Sequence, residues 1–159
     1  MKAKLYLETT IPSYLVGRSS RDLLVAAHQA ITRDWWESRR TQFDVYISEL
    51  VIQEVRAGDA LLANRRLELL AGIPLLPVNS EILELAEELI ANGPIPPKAA
   101  GDAAHIAIAT LYGCEFLLTW NCRHIANAEL HRAIRRVVER HGYEVPNLCT
   151  PEELMGEQQ

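Results

Sequence analysis

The chain has 159 residues, a formal net charge of −5, and hydrophobic and charged fractions of 48% and 23%. This length suits one domain with a full hydrophobic core, and the composition excludes a disordered or fibrous protein. The negative charge argues against a broad basic surface that coats nucleic acid, and no apolar run approaches the ~18 residues of a membrane span. Glu8 interrupts the N-terminus too early for a secretory signal. We therefore expect a single domain over residues 1–159, a cytoplasmic location and no membrane partner.

Short apolar runs alternate along the chain with longer segments of helical periodicity. This alternation is typical of βα units around a parallel sheet. Five runs predict strands: AKLYL (3–7), FDVYIS (43–48), PLLPV (74–78), EFLLT (115–119) and a short NLCT (147–150). The sequence therefore predicts an α/β fold, a three-layer α/β/α arrangement with a mainly parallel sheet of about five strands.

Helical segments fill the intervals between these strands, and most begin at a residue that can cap a helix. The predicted N-caps are Asp22 for a helix to about Arg40, Ser48 for SELVIQEVRAG, Ser80 for SEILELAEELIAN and Asp102 for DAAHIAIATLYG. The segment DALLANRRLELLAG predicts a further helix to Gly72, and a last helix is expected over about 127–141.

Four oxygen-bearing side chains lie where a parallel sheet binds its ligands. Such sheets bind ligands beyond the carboxyl ends of the strands, at the point where strand order reverses. Glu8 follows the first strand, Asn121 follows the fourth, and Glu54 lies on the helix after the second. Asp102 begins the helix before the fourth strand, and a right-handed crossover would bring it to the same edge.

Clustered carboxylates repel one another unless a cation lies among them. Mg²⁺ and Mn²⁺ take oxygen ligands and commonly join protein carboxylates to substrate phosphates. The pattern therefore indicates metal-dependent phosphodiester chemistry. Each residue alone also suits a structural role: a turn residue at Glu8, a solvated helix acid at Glu54, an N-cap at Asp102 and a turn former at Asn121.

Four segments carry a family resemblance in the right order and spacing. YLETTIPSYL, YISELVIQEV, AAGDAAHIAIATLYGCEFLLTWNCRHIAN and CTPEEL together resemble a PIN domain, and within that family the VapC-like toxins of bacterial toxin–antitoxin pairs. The most specific part is GDAAHIAIA followed by LLTWN. The resemblance covers nearly the whole chain.

This resemblance implies an endoribonuclease that depends on Mg²⁺ or Mn²⁺ and cleaves RNA phosphodiester bonds. It implies catalytic positions at Glu8, Glu54, Asp102 and Asn121, of which the first three would bind the metal, and supporting hydroxyls at Thr9 and Thr119. It also implies three partners: an RNA substrate, a cognate antitoxin protein and a second copy of the chain in a homodimer.

The sequence departs from the family pattern at two of these positions. The usual first Asp is Glu8, one methylene longer, and the usual fourth Asp is Asn121, which offers an oxygen without charge. We therefore expect one firmly held metal, with any second ion recruited by substrate. The same exchanges leave open a catalytically weakened module that binds RNA or protein. A phosphatase or a DNA nuclease would share the metal chemistry.

Basic and imidazole side chains near the acids are candidates for contacts to RNA. Arg123 and His124 follow Asn121 closely and are expected to contact phosphates. The arginines of the last helix favour a solvated face over a rim that positions phosphates. His105 lies three residues after Asp102, where a buried or supporting histidine is expected rather than a general base.

Overall fold

The computed structural model describes residues 1–156, and its strands form one five-stranded parallel sheet in the order β3-β2-β1-β4-β5. The strands are β1 (Ala3–Leu7), β2 (Phe43–Ser48), β3 (Leu75–Leu76), β4 (Phe116–Leu118) and β5 (Asn147–Cys149). Strand order therefore reverses between β1 and β4, which lie side by side at the centre of the sheet.

The helices lie between successive strands, as the alternating pattern predicts. They are α1 (Thr10–Val16), α2 (Leu23–Ser38), α3 (Glu49–Val55), α4 (Ala60–Leu70), α5 (Ser80–Ala91), α6 (Ala100–Leu111) and α7 (Ala128–Arg140). Short 3₁₀ turns span Arg40–Gln42 and Pro97–Ala99. The predicted three-layer α/β/α fold with a five-stranded parallel sheet is confirmed.

Sequence and structure agree on β1 and β2 to the residue, and differ where proline or local capping intervenes. The predicted strand PLLPV shortens to Leu75–Leu76 because the flanking prolines cannot donate to a ladder. Asp22 and Ser48 accept backbone hydrogen bonds as predicted N-caps. Asn79, rather than Ser80, caps α5 through a bond from Ile82 N–H.

The predicted N-cap role of Asp102 is wrong, because α6 begins two residues earlier at Ala100. The 3₁₀ turn at Pro97–Ala99 leads directly into the helix, and no side chain caps it. Asp102 instead lies in the first turn, where a carboxylate interacts favourably with the helix dipole. This position frees its side chain from capping.

The core lies on both faces of β1 and β4, where successive strand residues are fully buried. Helix α6 is the most deeply buried helix, with Ala103 and every residue from 105 to 110 inaccessible or nearly so. It packs chiefly against α5. In the part of the chain that the structure describes, no helix has both the length and the apolar character to cross a membrane.

Candidate active site at the carboxyl ends of β1 and β4

The candidate site lies where strand order reverses. Glu8 follows the last residue of β1, and Thr119 follows the last residue of β4. Backbone pairing continues beyond the ladder, because Glu8 N–H donates to the carbonyl of Leu118 across 3.1 Å. The two strand ends are therefore held in register, and residues that follow them share one edge of the sheet.

Glu8 is buried, with 4% of its surface exposed, and one of its carboxylate oxygens is fully engaged. Oε1 accepts hydrogen bonds from Thr119 Oγ1 at 2.7 Å, from Thr10 N–H at 3.0 Å and from Thr10 Oγ1. Thr10 Oγ1 in turn accepts a bond from Trp120 N–H at 2.8 Å. These bonds fix the carboxylate and join the start of α1 to the end of β4.

Glu54, on α3, has a carboxylate that is held in a similar way. Oε1 accepts a bond from Thr9 Oγ1 and lies 2.6 Å from Nε2 of the buried His105. Partial burial raises the pKa of Glu54, but the hydrogen bond and electrostatic attraction of His105, together with the bond from Thr9, lower it to a net value below the ordinary one. Glu54 is therefore ionised at neutral pH.

Glu8 and Glu54 line the same cleft. The other residues that line it are Thr9, Thr10, Ser13 and Tyr14 of the turn and helix that follow β1. Thr10 bonds to Glu8 and Thr9 to Glu54, so consecutive threonines hold the two acids. This helix, α1, was not predicted from the sequence, although it forms one wall of the cleft.

Asp102 faces the loop after β4 rather than Glu8. Its Oδ2 lies 2.9 Å from Nδ1 of His124, and both side chains are largely buried, at 23% and 16% exposure. The start of α6 nonetheless lies against Glu54, because a Cβ on Gly101 would lie 3.4 Å from Glu54 Oε2. The start of α6, which carries Asp102 and its partner His124, is therefore adjacent to Glu54.

Asn121 organises the loop after β4 through its own side chain. Its Oδ1 accepts bonds from the backbone N–H groups of Arg123 at 3.2 Å and His124 at 3.0 Å. Its backbone N–H donates to Thr119 Oγ1 at 2.9 Å. The amide oxygen is thus committed to the turn that carries His124, while the Arg123 side chain is exposed beside it.

The family model for the PIN domain matches residues 5–129, which include every residue of this site. The chain belongs to the PIN domain family. This finding confirms the resemblance to a PIN domain that the first three sequence segments carry. No curated protein sequence matches the chain significantly.

Two solved structures share the PIN domain fold of this chain. A chain of FitAB bound to an IR36 DNA fragment is 16% identical, with a TM-score of 0.59, and the match covers 97% of this chain and 99% of that one. A chain of VapBC2 from Rickettsia felis, bound to a DNA fragment from its promoter, is 17% identical, with a TM-score of 0.55 and coverage of 82% and 92%. At these identities the likeness shows the fold alone.

The donor chemistry of this PIN domain site fits a divalent cation bound with water. Within residues 1–156, Glu8 Oε2, Glu54 Oε2 and Asp102 Oδ1 accept no hydrogen bond, so each acid keeps one oxygen available while the other is held. Mg²⁺ usually keeps several waters and binds one or two carboxylates rather than a closed cage. Over the same residues, no group of three His, Cys, Asp or Glu side chains is arranged to hold a metal ion.

Sequence reasoning named the acids of the site and some of the hydroxyls beside them, including Thr9 and Thr119, which hydrogen-bond to Glu54 and Glu8. The buried pair Tyr6 and Ser48, which lie behind His105, were missed as parts of the site. Nothing in the sequence pattern connects Tyr6 to His105, which lies 99 residues away.

Proposed function

We propose that this PIN domain protein is an Mg²⁺- or Mn²⁺-dependent endoribonuclease and the toxin of a toxin–antitoxin pair. The observation that carries the proposal is the pair Glu8 and Glu54, which line one cleft at the switch point of the sheet, each with one oxygen held and one available. Such an arrangement offers two carboxylate oxygens to one divalent cation, with or without a bound phosphate.

Each residue of the site has a defined part in this proposal. Glu8, Glu54 and Asp102 would hold the cation through their available oxygens. When bound, a divalent ion supplies activation of water and compensation of phosphate charge. Thr9 and Thr119 orient the first two acids, and Asn121 holds the turn that carries His124.

Substrate phosphates would meet the residues after Asn121. Arg123 is exposed at the site and suits a phosphate contact, because contacts of this kind fix register without reading sequence. His124 Nδ1 lies 2.9 Å from Asp102 Oδ2, which leaves its Nε2 available for substrate. We include both in the proposed RNA-binding surface.

A cleavage assay tests the proposal. Purified full-length protein would be incubated with a panel of structured and unstructured RNAs in Mn²⁺, in Mg²⁺ and in EDTA. We expect cleavage with either ion, loss of cleavage in EDTA, and loss in Asp102→Asn. Asp44→Asn is the matched control, because Asp44 is an exposed acid near the amino end of β2, away from the site. Equal, background-level products from wild type and Asp102→Asn would refute the nuclease proposal.

The same assay distinguishes the proposed ribonuclease from a binding module and from enzymes with other substrates. The neutral Asn121, and the lack of an assembled three-ligand group in residues 1–156, favour a weakened module that binds RNA or protein without cleaving it. Retained RNA binding without cleavage would support that module. Single-stranded DNA and a phosphomonoester, included as substrates, would reveal a DNA nuclease or a phosphatase.

An antitoxin partner and a homodimer belong to the proposal as well. The resemblance to VapC-like toxins, and the fold shared with chains of FitAB and VapBC2, support a protein partner encoded nearby. We expect the product of a short neighbouring reading frame to co-purify with the chain and to inhibit cleavage. Light scattering of the chain alone would decide whether it dimerises.

A further inference from the structure

A chain of hydrogen bonds crosses the core and ends on Glu54. Ser48 Oγ lies 2.8 Å from the Tyr6 hydroxyl, which lies 2.6 Å from His105 Nδ1, and His105 Nε2 lies 2.6 Å from Glu54 Oε1. Ser48 and Tyr6 are fully buried and His105 is 1% exposed. Three polar side chains inside an apolar core are costly unless every donor and acceptor is paired. We call these three residues and Glu54 the buried relay.

Counting donors and acceptors gives the buried relay one direction. Ser48 Oγ accepts from Val51 N–H, which leaves its hydroxyl hydrogen for Tyr6. The Tyr6 hydroxyl then donates to His105 Nδ1, and Nε2–H donates to the ionised carboxylate of Glu54, which can only accept. In the reverse direction the Ser48 hydroxyl hydrogen would have no acceptor among residues 1–156. Burial raises the pKa of Tyr6 well above its ordinary value, so the phenol keeps its proton.

The relay acts on one oxygen of Glu54 and leaves the other free. Oε1 accepts from both His105 and Thr9, and two donors on one oxygen restrict rotation of the carboxylate. Oε2 accepts no hydrogen bond within the described residues. Gly101, which has no side chain, is the residue beside it. The carboxylate of Glu54 is therefore held in one orientation, with Oε1 bonded and Oε2 available.

We propose that Ser48, Tyr6 and His105 are positioning residues: Tyr6 donates to His105 Nδ1, His105 Nε2–H donates to Glu54 Oε1, and Glu54 Oε2 is thereby aimed into the cleft. This inference rests on the proposed function, because the orientation of Glu54 Oε2 affects the binding of a cation and a phosphate. The tautomer itself is independent of cleavage. Residues that hydrogen-bond to a metal ligand, and so orient it, typically change metal affinity or activity by about 10- to 100-fold when they are removed.

Nitrogen NMR of isotopically labelled, full-length protein in EDTA tests the tautomer directly. Two-bond hydrogen–nitrogen correlations distinguish a protonated ring nitrogen from an unprotonated one, and the His105→Gln variant assigns the signals among the five histidines of the chain. We expect Nε2 protonated and Nδ1 unprotonated at neutral pH. The opposite tautomer, or a doubly protonated ring, would overturn the proposal.

Removing one hydroxyl tests whether the tautomer matters to the site. Tyr6→Phe deletes the donor to His105. Tyr46→Phe is the control: Tyr46 is the residue of β2 paired with Tyr6, and its hydroxyl takes no part in the hydrogen bonds of the relay. We expect Tyr6→Phe to mix the His105 tautomers and to weaken Mn²⁺ binding about 10- to 100-fold, and Tyr46→Phe to do neither. Unchanged Mn²⁺ affinity and cleavage in a folded Tyr6→Phe protein would refute a positioning role.

Substitution of His105 itself separates positioning from packing. His105→Gln keeps an N–H donor that can reach Glu54, whereas His105→Leu fills the space without a donor. We expect the Gln variant to retain Mn²⁺ binding and cleavage at least ten times better than the Leu variant, and equal losses would overturn the proposal. If the wild type neither binds Mn²⁺ nor cleaves RNA, the proposed function fails, while the NMR result still decides the tautomer.

Discussion

Thr119 Oγ1 donates a hydrogen bond to Glu8 Oε1 across 2.7 Å and joins the ends of the two central strands. Both residues are buried, and 111 positions separate them in sequence. Removal of the hydroxyl would leave the buried carboxyl group of Glu8 with one donor fewer. The bond therefore serves stability as well as orientation of the acid.

Thr119→Val replaces this hydroxyl by a methyl group of similar size. We expect a loss of about 1–3 kcal/mol in the free energy of unfolding, because a buried acceptor loses a donor. Urea denaturation would measure it. Thr41→Val is the control, since Thr41 is exposed and makes no side-chain hydrogen bond among residues 1–156. Equal stability of the two variants would show that the bond contributes nothing.

Gly101→Ala should separate stability from activity. Alanine in the first turn of α6 is expected to raise the free energy of unfolding by roughly 0.5–1 kcal/mol, because glycine loses more backbone entropy on folding. The new methyl group would lie 3.4 Å from Glu54 Oε2 and shield it. We therefore expect a higher melting temperature together with slower cleavage and weaker Mn²⁺ binding. Faster or unchanged cleavage would show that Oε2 does not act at the site.

Acid denaturation should report the pairing of Glu54 with His105. The pKa of Glu54 is lowered in the folded state, so the ionised carboxylate stabilises the fold at a pH above its ordinary pKa. This stabilisation is lost as the pH falls below about 4.5. Glu54→Gln should flatten the acid side of a stability–pH curve measured in EDTA. Glu68→Gln, at an exposed position on α4, should leave that slope unchanged. A slope equal to wild type in Glu54→Gln would contradict the pairing.

Thiol reactivity should single out Cys122 among the three cysteines of the chain. Burial raises the pKa of the Cys114 thiol to about 11 and that of Cys149 to about 12. Partial burial and Glu153 also raise the pKa of Cys122, but this residue is exposed, whereas the other two cysteines are buried. With a disulfide reagent near pH ~8, we expect one thiol to react rapidly and two only after denaturation. Cys122→Ser should remove the rapid phase and Cys114→Ser should not. A rapid phase that survives Cys122→Ser would show that a second thiol is accessible.

The sequence located the central elements of the fold because their signals are local. Short, mainly apolar runs identified β1 and β2 to the residue, and Asp22 and Ser48 identified two helix starts by side-chain chemistry within three residues. Helix α1 was missed because TIPSYLV is short and has proline and β-branched residues. Its contacts with α2 and α4 support it instead. That residues 1–159 form one domain stays a prediction.

The sequence by itself determined that Glu8, Glu54, Asp102 and Asn121 follow or flank strands of a parallel sheet, because strand ends can be found locally and parallel strands share an edge. Only the tertiary structure decided what each side chain contacts. It committed Asn121 Oδ1 to a turn, paired Asp102 with His124, and placed His105 between Tyr6 and Glu54. Contacts between residues about a hundred positions apart depend on the packing of whole elements, which no local pattern specifies.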